Sequence, residues 1–392
     1  MTNHAPPALA WSAGELLQLI RHGKAASRAG LVQLTGLSPS TVAARVEQLL
    51  QADYLRQGSN DRGGRNPRAL ALDPGLGFVA VADIGARHVR LGLVDATGAI
   101  LTSRQLEHGT DHVDEFTRWL IEALHRFLSK SRQEIAERPL LGIGLSIPAP
   151  VHAQTGRVVY PTRVPSWHDA DLITPLASAF SVPVAADNDA TLMALAEHRI
   201  QHPDVQDMLF VKIGSGIGCG IIARGQVYRG GTGGAGDIGH VWVDVPFARH
   251  CLCGRDHCLE ASVGGSALVR ILQQRGVDVS NPAEIERLAR ENQADALELS
   301  RTAGRAIGEA LALIANFFNP ELIVVGGALS QIESLYNSMR SALYERSLPL
   351  TTHDLTIDLS KNGVDASLYG PAFLILDKVL SADQVNDIIA SA

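Results

Sequence analysis

Gly236-Asp237-Ile238-Gly239-His240, and then Cys251-Leu252-Cys253-Gly254-Arg255-Asp256-His257-Cys258-Leu259-Glu260, is the stretch from which the rest of the sequence can be read. Three of the chain's four cysteines lie here, and Cys219 is the fourth. A Cys-x-Cys-x4-Cys run preceded by a histidine offers three thiolates and one imidazole, a donor set suited to a closed tetrahedral zinc site. The expected ligands are His240, Cys251, Cys253 and Cys258, with His250 and His257 as rivals. Gly254 gives the chain the freedom to turn between the cysteine ligands. Met1 to Ala13 holds no basic segment followed by an apolar one, and no run of about 18 apolar residues occurs anywhere. The expectation is a cytoplasmic protein that neither crosses a membrane nor depends on disulfides.

At 392 residues the chain is too long for one compact core and fits two or three domains. Its net charge of −7 hides an asymmetry. Residues 1–70 carry eight basic residues (Arg21, Lys24, Arg28, Arg45, Arg56, Arg62, Arg65, Arg68) and four acids, for +4. The remainder has 26 basic against 37 acidic, for −11. A basic head on an acidic body suits a protein that meets DNA with one end only.

The head reads as three helices. Leu16, Leu17 and Ile20 stripe the first. Ser27 can cap a second that carries Leu31, Val32 and Leu34 and stops at Thr35-Gly36. Ser38 is a plausible cap for the third, with Pro39 at the first helical position, where its missing N–H is harmless. Val42, Val46, Leu49 and Leu50 form its apolar face; Ser40, Thr41, Ala44, Arg45 and Gln48 form the other. A short helix, a glycine turn and a capped helix with a small polar start describe a helix-turn-helix. Residues 54–57 and 68–72 could then pair as a wing, with Arg62 and Arg65 at its tip near phosphates or the minor groove. Ser40, Thr41, Arg45, Arg62 and Arg65 are the expected DNA contacts.

Asp73-Pro74-Gly75 marks a boundary, after which strand and helix patterns alternate as in an α/β body. Strands are expected at 78–83, 89–95, 100–105, 141–147 and 182–186. A long helix is expected at 114–130, and a last helix from Pro371 to Leu380 that packs back on the first half. Periodicity reveals no internal repeat. Three glycine-rich turns after strands could approach an anion: Asp83-Ile84-Gly85, Gly214-Ser215-Gly216 and Gly326-Gly327. Asp187-Asn188-Asp189 ends a strand and opens a helix, where α/β proteins place ligands. Asn and Asp together suit sugar hydroxyls, which both donate and accept, although helix capping would also explain them.

In this order the pieces resemble the ROK family (repressors, open reading frames and sugar kinases), and most closely its regulators with an N-terminal winged helix-turn-helix. The resemblance runs from about Leu17 to Leu380, and residues 236–260 match its zinc-and-sugar signature. It implies a two-lobed actin-like ATPase body behind the head: a winged helix-turn-helix at 1–72, one lobe at 73–190 completed by 371–392, and a second, zinc-bearing lobe at 191–370. It implies structural zinc on His240, Cys251, Cys253 and Cys258. Sugar hydroxyls would be met by Asn188, Asp189, Asp237, His240 and Glu260, with His240 linking metal and ligand. Asp189 would be the proton-accepting base if the chain were a kinase. Phosphate or nucleotide would face Asp83, Gly85, Gly214, Ser215, Gly216, Gly326 and Gly327. The chain departs from the family at three places. Asp237 is one methylene shorter than the usual Glu, and Ala149 replaces the usual Gly before Pro150. The kinase pattern Asp-x-Gly-Gly-Thr-Lys becomes Asp83-Ile84-Gly85-Ala86-Arg87-His88. The resemblance therefore implies a sugar-responsive repressor, a homodimer or homotetramer on double-stranded operator DNA, with a sugar or sugar phosphate as effector. The alternative is an ATP-dependent sugar kinase of the glucokinase type.

Overall fold

The protein is described as a computed structural model covering residues 11–58, 69–159, 165–247 and 249–391. Local signals set the head. Ser12 caps the first helix (Ala13–Arg21) in a reciprocal box with Glu15. Ser27 caps the second (Arg28–Thr35), which closes on Gly36 at φ +69°. Ser38 caps the third (Pro39–Gln51), with Pro39 at its start. Leu16, Leu17, Leu31, Val42, Val46 and Leu49 are fully buried between them. Strand β1 (Leu55–Gln57) pairs antiparallel with β2 (Leu70–Leu72). The tip between them, with Arg62 and Arg65, lies outside the described residues.

The body holds two five-stranded sheets. The first contains β3 (Phe78–Ile84), β4 (His88–Asp95), β5 (Ile100–Glu107), β6 (Leu140–Ile147) and β7 (Val184–Asn188), ordered β5-β4-β3-β6-β7. The second contains β8 (Met208–Ile213), β9 (Ile217–Ala223), β10 (Gln226–Val227), β11 (Leu322–Gly326) and β12 (Thr356–Leu359), ordered β10-β9-β8-β11-β12. Each sheet is an antiparallel three-strand meander followed by two parallel strands, so the body is an internal duplication. Periodicity in the sequence gives no hint of it.

Two helices cross between the halves. Asp189–Gln201 leaves β7 but packs on β8 and β9 of the second sheet; Ala366–Val379 follows β12 but packs on β3 and β6 of the first. Small residues permit this closeness. A Cβ at Gly220 would lie 2.4 Å from the Ala190 carbonyl oxygen, and one at Gly144 would lie 2.1 Å from that of Pro371. Pro371 is inside the latter helix rather than at its start. The expected start is thus corrected by five residues: tight packing on the first sheet holds the helix together across the proline.

The head is not a tethered bead. Its apolar residues Leu16, Leu17, Ile20, Leu70 and Leu72 form one buried cluster with Val79, Val81, Val94, Leu368, Ile375, Leu376 and Val385 of the body. The first helix lies on a terminal helix (Ala382–Ser391) that the sequence reading did not separate. A Cβ at Gly14 would be 2.2 Å from the Ala382 carbonyl oxygen, and Asn386 takes the Gly14 N–H at 2.9 Å. Asn386 also donates to the Ser12 hydroxyl at 2.9 Å.

A candidate cleft and metal centre

The carboxyl ends of the parallel strands gather the polar residues. Register places Asp83 of β3 beside Ser146 of β6, and Ser146 beside Asp187 of β7. The Ser146 hydroxyl donates to Asp83 at 2.8 Å. Burial pushes the Asp83 carboxyl up, against the pull of the Lys212 ammonium, and neighbouring Asp189 adds to the rise. Asp187 is raised by burial as well, although Arg229 donates to it at 2.7 Å and opposes the rise. The sequence reading passed over Arg229 because it lies in a loop without a motif.

Asn188 caps the helix Asp189–Gln201 through its side-chain oxygen, which accepts from Ala190 and Thr191, and its amide donates to Ala149 O at 3.1 Å. Asp189 accepts the Ala190 N–H at 2.6 Å with one oxygen and the Lys212 ammonium with the other. Lys212 opens the stretch Lys212-Ile213-Gly214-Ser215-Gly216 that resembles the family's second phosphate loop, but its pairing with Asp189, 23 positions away, has no local signal in the sequence. Glu260 approaches from the second half, accepting the Ile217 N–H at 2.9 Å; the next residue, Gly218, faces Ala190, where a Cβ would lie 3.1 Å from the Ala190 methyl. Residues 217–218 are thus flanked by Glu260 on one side and by the start of the Asp189 helix on the other. His240 Nε2 points towards Asp237 Oδ1 at 3.9 Å, beyond hydrogen-bond length. Burial raises the Asp237 carboxyl, with His240 opposing and Glu260 adding to the rise.

The glycine turns differ in state. Gly214-Ser215-Gly216 and Gly326-Gly327 follow neighbouring parallel strands β8 and β11. The carbonyls of Gly214 and Ser215 accept from Gly265 and Ser266 at 2.9 and 3.0 Å, at the start of the helix Gly265–Gln274. Gly327 has φ +95° against the Ile213 backbone, so only glycine fits there. The first turn is closed. Gly85 N–H donates to His88 O at 2.8 Å, its carbonyl meets His108 Nε2 at 3.2 Å, and the His88 ring covers its Cα, where a Cβ would be 2.7 Å from His88 Cε1.

His240, Cys251, Cys253 and Cys258 offer four ligand atoms all within 4.8 Å of one another. His240 Nδ1 is 3.5 Å from Cys251 Sγ, and Cys253 Sγ is 3.5 Å from Cys258 Sγ. Gly254 makes the turn at φ +82°. Burial raises the Cys253 thiol, but hydrogen bonds from Arg255 and the other sulfurs outweigh this and bring it to about 6. Burial and the neighbouring sulfurs push Cys258 up to about 12. Three crowded sulfurs and an imidazole, some resisting ionisation, are what a group needing one central cation looks like, and the donor set could hold a metal ion. The rivals point elsewhere: exposed His250 pairs with Asp256 at 3.1 Å, and His257 meets Val243 O at 3.2 Å and stacks on Trp242.

In the head, Ser40 is exposed while Thr41 and Arg45 are half-buried on the third helix. Ser38 Oγ lies 3.0 Å from Ser40 Oγ and 2.7 Å from Thr41 Oγ1. Arg45 Nη1 is shielded from solvent and finds no acceptor among the described residues.

Residues 79–378 match the family described as the ROK family. The chain belongs to the ROK family. The xylose repressor of Bacillus subtilis (strain 168) is 29% identical over 371 residues, covering 93% of this chain and 94% of its own. The crystal structure of a ROK family transcriptional regulator, a homologue of the E. coli MLC protein, superposes with a TM-score of 0.82 at 23% identity, over 97% of this chain and 98% of its own. A ROK family glucokinase from Streptomyces griseus, in complex with glucose and AMPPNP, superposes with a TM-score of 0.66 at 25% identity, over 76% of this chain and 99% of its own. The glucokinase thus matches the body, and the regulator matches head and body together. The body has the actin-like ATPase fold of these ROK proteins. Among the described residues, no helix is long and apolar enough to cross a membrane.

Proposed function

We propose that this chain is a sugar-responsive transcriptional repressor of the cytoplasm, working as a homodimer or homotetramer on operator DNA. Its units are a DNA-binding head (1–72), a first lobe (73–190 with 371–392) and a second, zinc-bearing lobe (191–370). The observation that carries this is one continuous core joining a helix-turn-helix to a cleft whose first anion turn is filled by His88.

In the cleft, Asp189 and Glu260 would accept from sugar hydroxyls, while Asn188 and Asp237 hold neighbouring ones. Structural zinc on His240 Nδ1 and the three thiolates would fix the imidazole, leaving Nε2 facing the sugar and Asp237. Ser40, Thr41 and Arg45 would enter the major groove, where a guanidinium can pair with a base edge.

Asp189 and the Gly214–Gly216 turn keep a kinase reading alive. Against it stand the closed Gly85 turn and the Lys212 ammonium on the would-be base. A thermal-shift screen of sugars and sugar phosphates, with and without ATP, tests the choice. A sugar should raise the melting temperature with no further gain from ATP. Stabilisation by no sugar, or only together with ATP, would sink the repressor assignment.

A further inference from the structure

We infer that Asp377 is the joint through which a ligand in the cleft acts on the DNA-binding head, an inference that rests on the chain being sugar-responsive. Asn188 and Asp189 stand at the start of the helix Asp189–Gln201, and Arg199 stands in its last turn. Ten residues of helix separate Asp189 from Arg199, about 15 Å at 1.5 Å per residue. Arg199 grips Asp377 with both terminal nitrogens, Nη1 to Oδ1 at 2.9 Å and Nη2 to Oδ2, and its guanidinium lies 5.2 Å from the centre of the Phe373 ring. The same Asp377 Oδ1 accepts from Arg21 Nη2 at 2.5 Å. Arg21 is in the last turn of the head's first helix, and its side chain is only 6% exposed.

One carboxylate therefore serves two guanidiniums, one at the far end of the ligand helix and one on the head. A two-pronged arginine–carboxylate pair is directional, so Asp377 follows Arg199 when that helix shifts or turns. The shift cannot be absorbed on the way. A Cβ at Gly370 would lie 2.3 Å from the Leu192 carbonyl oxygen, so the two crossing helices touch backbone to backbone and move as packed rods. Once Asp377 leaves, Arg21 would be a nearly buried cation with no counter-ion, a state proteins avoid. The first helix can then slide on the shared apolar core, held by the Gln18 amide to Leu380 O at 2.5 Å and the Asn386 contacts as its remaining polar ties. The head thus has two arrangements on that shared core, with and without the Arg21–Asp377 pair, and the position of Arg199 selects between them.

The test uses the full-length protein, a duplex selected from random DNA by the wild type, and D-xylose, D-glucose and N-acetyl-D-glucosamine as probe sugars. Sugar affinity is read by calorimetry, and DNA affinity by fluorescence anisotropy with and without sugar. Arg199→Gln should bind sugar within about threefold of wild type, being a helix length away. Its DNA affinity should no longer respond to sugar, the wild-type ratio falling to nearly one. Arg287→Gln, which breaks an exposed pair with Glu291, should keep the full response. Arg199→Gln that folds, binds both partners and keeps the full response would overturn the joint. Hydrogen exchange on the wild type supplies an arm without mutation: sugar should speed exchange across residues 13–21, and unchanged exchange there with sugar bound also overturns it. Failure of the wild type to bind any of the three sugars would instead count against the proposed function, and calorimetry alone reports that.

Discussion

The ammonium of Lys212 rests on the outer carboxylate oxygen of Asp189, in a pair whose side chains are 29% and 13% exposed. Asp83 feels both charges. The cleft floor thus has its own cation beside the residue that would have to take a proton from a sugar, and that carboxylate can still accept a hydroxyl hydrogen bond.

Asp189→Asn should weaken binding of the probe sugar by roughly 1.5–3 kcal/mol, the worth of a hydrogen bond to a charged group, and Asp189→Ala should abolish it by calorimetry. Wild type should release ADP negligibly across hexoses, pentoses and amino sugars in a coupled assay. Turnover on the order of 1–100 s⁻¹, an ordinary kinase rate, would make the protein bifunctional.

Elemental analysis should find about one zinc per chain. Cys251→Ser should lose it and, because His240 loses its anchor, should weaken sugar binding as well. Metal-free protein with normal sugar affinity would separate the two sites.

Arg45→Ala should cost about 1–3 kcal/mol on a cognate duplex if the guanidinium reads a base, and much less on random DNA. Gel-shift titration on both duplexes decides it. Equal losses would demote Arg45 to a phosphate contact.

Burial alone would raise the Asp377 carboxyl, but the hydrogen bonds and charges of Arg199 and Arg21 outweigh it and hold it below its ordinary 3.8. A depressed carboxyl contributes stability that is complete above the ordinary value and lost as pH falls through the depressed one. Burial, with Arg199 and Arg21 nearby, lowers His22 at the end of the same helix to about 4. Protection of residues 13–21 against hydrogen exchange, after correction for intrinsic rates, should therefore hold from pH 8 to about 6.5 and weaken as pH falls towards 4, because the opened state takes up a proton there. It should fall further below about 4 as Asp377 is protonated. His22→Gln should remove the step between pH 6.5 and 4 and leave the one below 4, and a variant that keeps both steps would overturn this assignment.

Gly144→Ala should destabilise the fold by about 2 kcal/mol or more in urea, since the methyl would meet the Pro371 carbonyl oxygen, a backbone atom, at 2.1 Å.

What the sequence disclosed was local. Ser27, Gly36, Ser38 and Pro39 each act within four residues, and so the three head helices could be read directly. The Cys251–Cys258 spacing needs only a tight turn. Contacts between distant residues leave no such pattern. Arg21 meets Asp377 across 356 positions and Arg199 meets it across 178. The folding of His88 over Gly85 depends on a hairpin geometry that composition does not encode. Pro371 misled because proline is common at helix starts, whereas here packing on the first sheet overrides that preference.

The shared core of head and body has a consequence for engineering. Regulators are often rebuilt by grafting one DNA-reading module onto another sensor, which presumes that the module carries its own interior. Here Leu16, Leu17 and Ile20 borrow theirs from Leu376, Leu380 and Val385. A transplant of residues 11–72 alone would expose that surface to water and invite aggregation, so a working chimera would have to bring the segment 366–391 with it and offer a sheet to receive it.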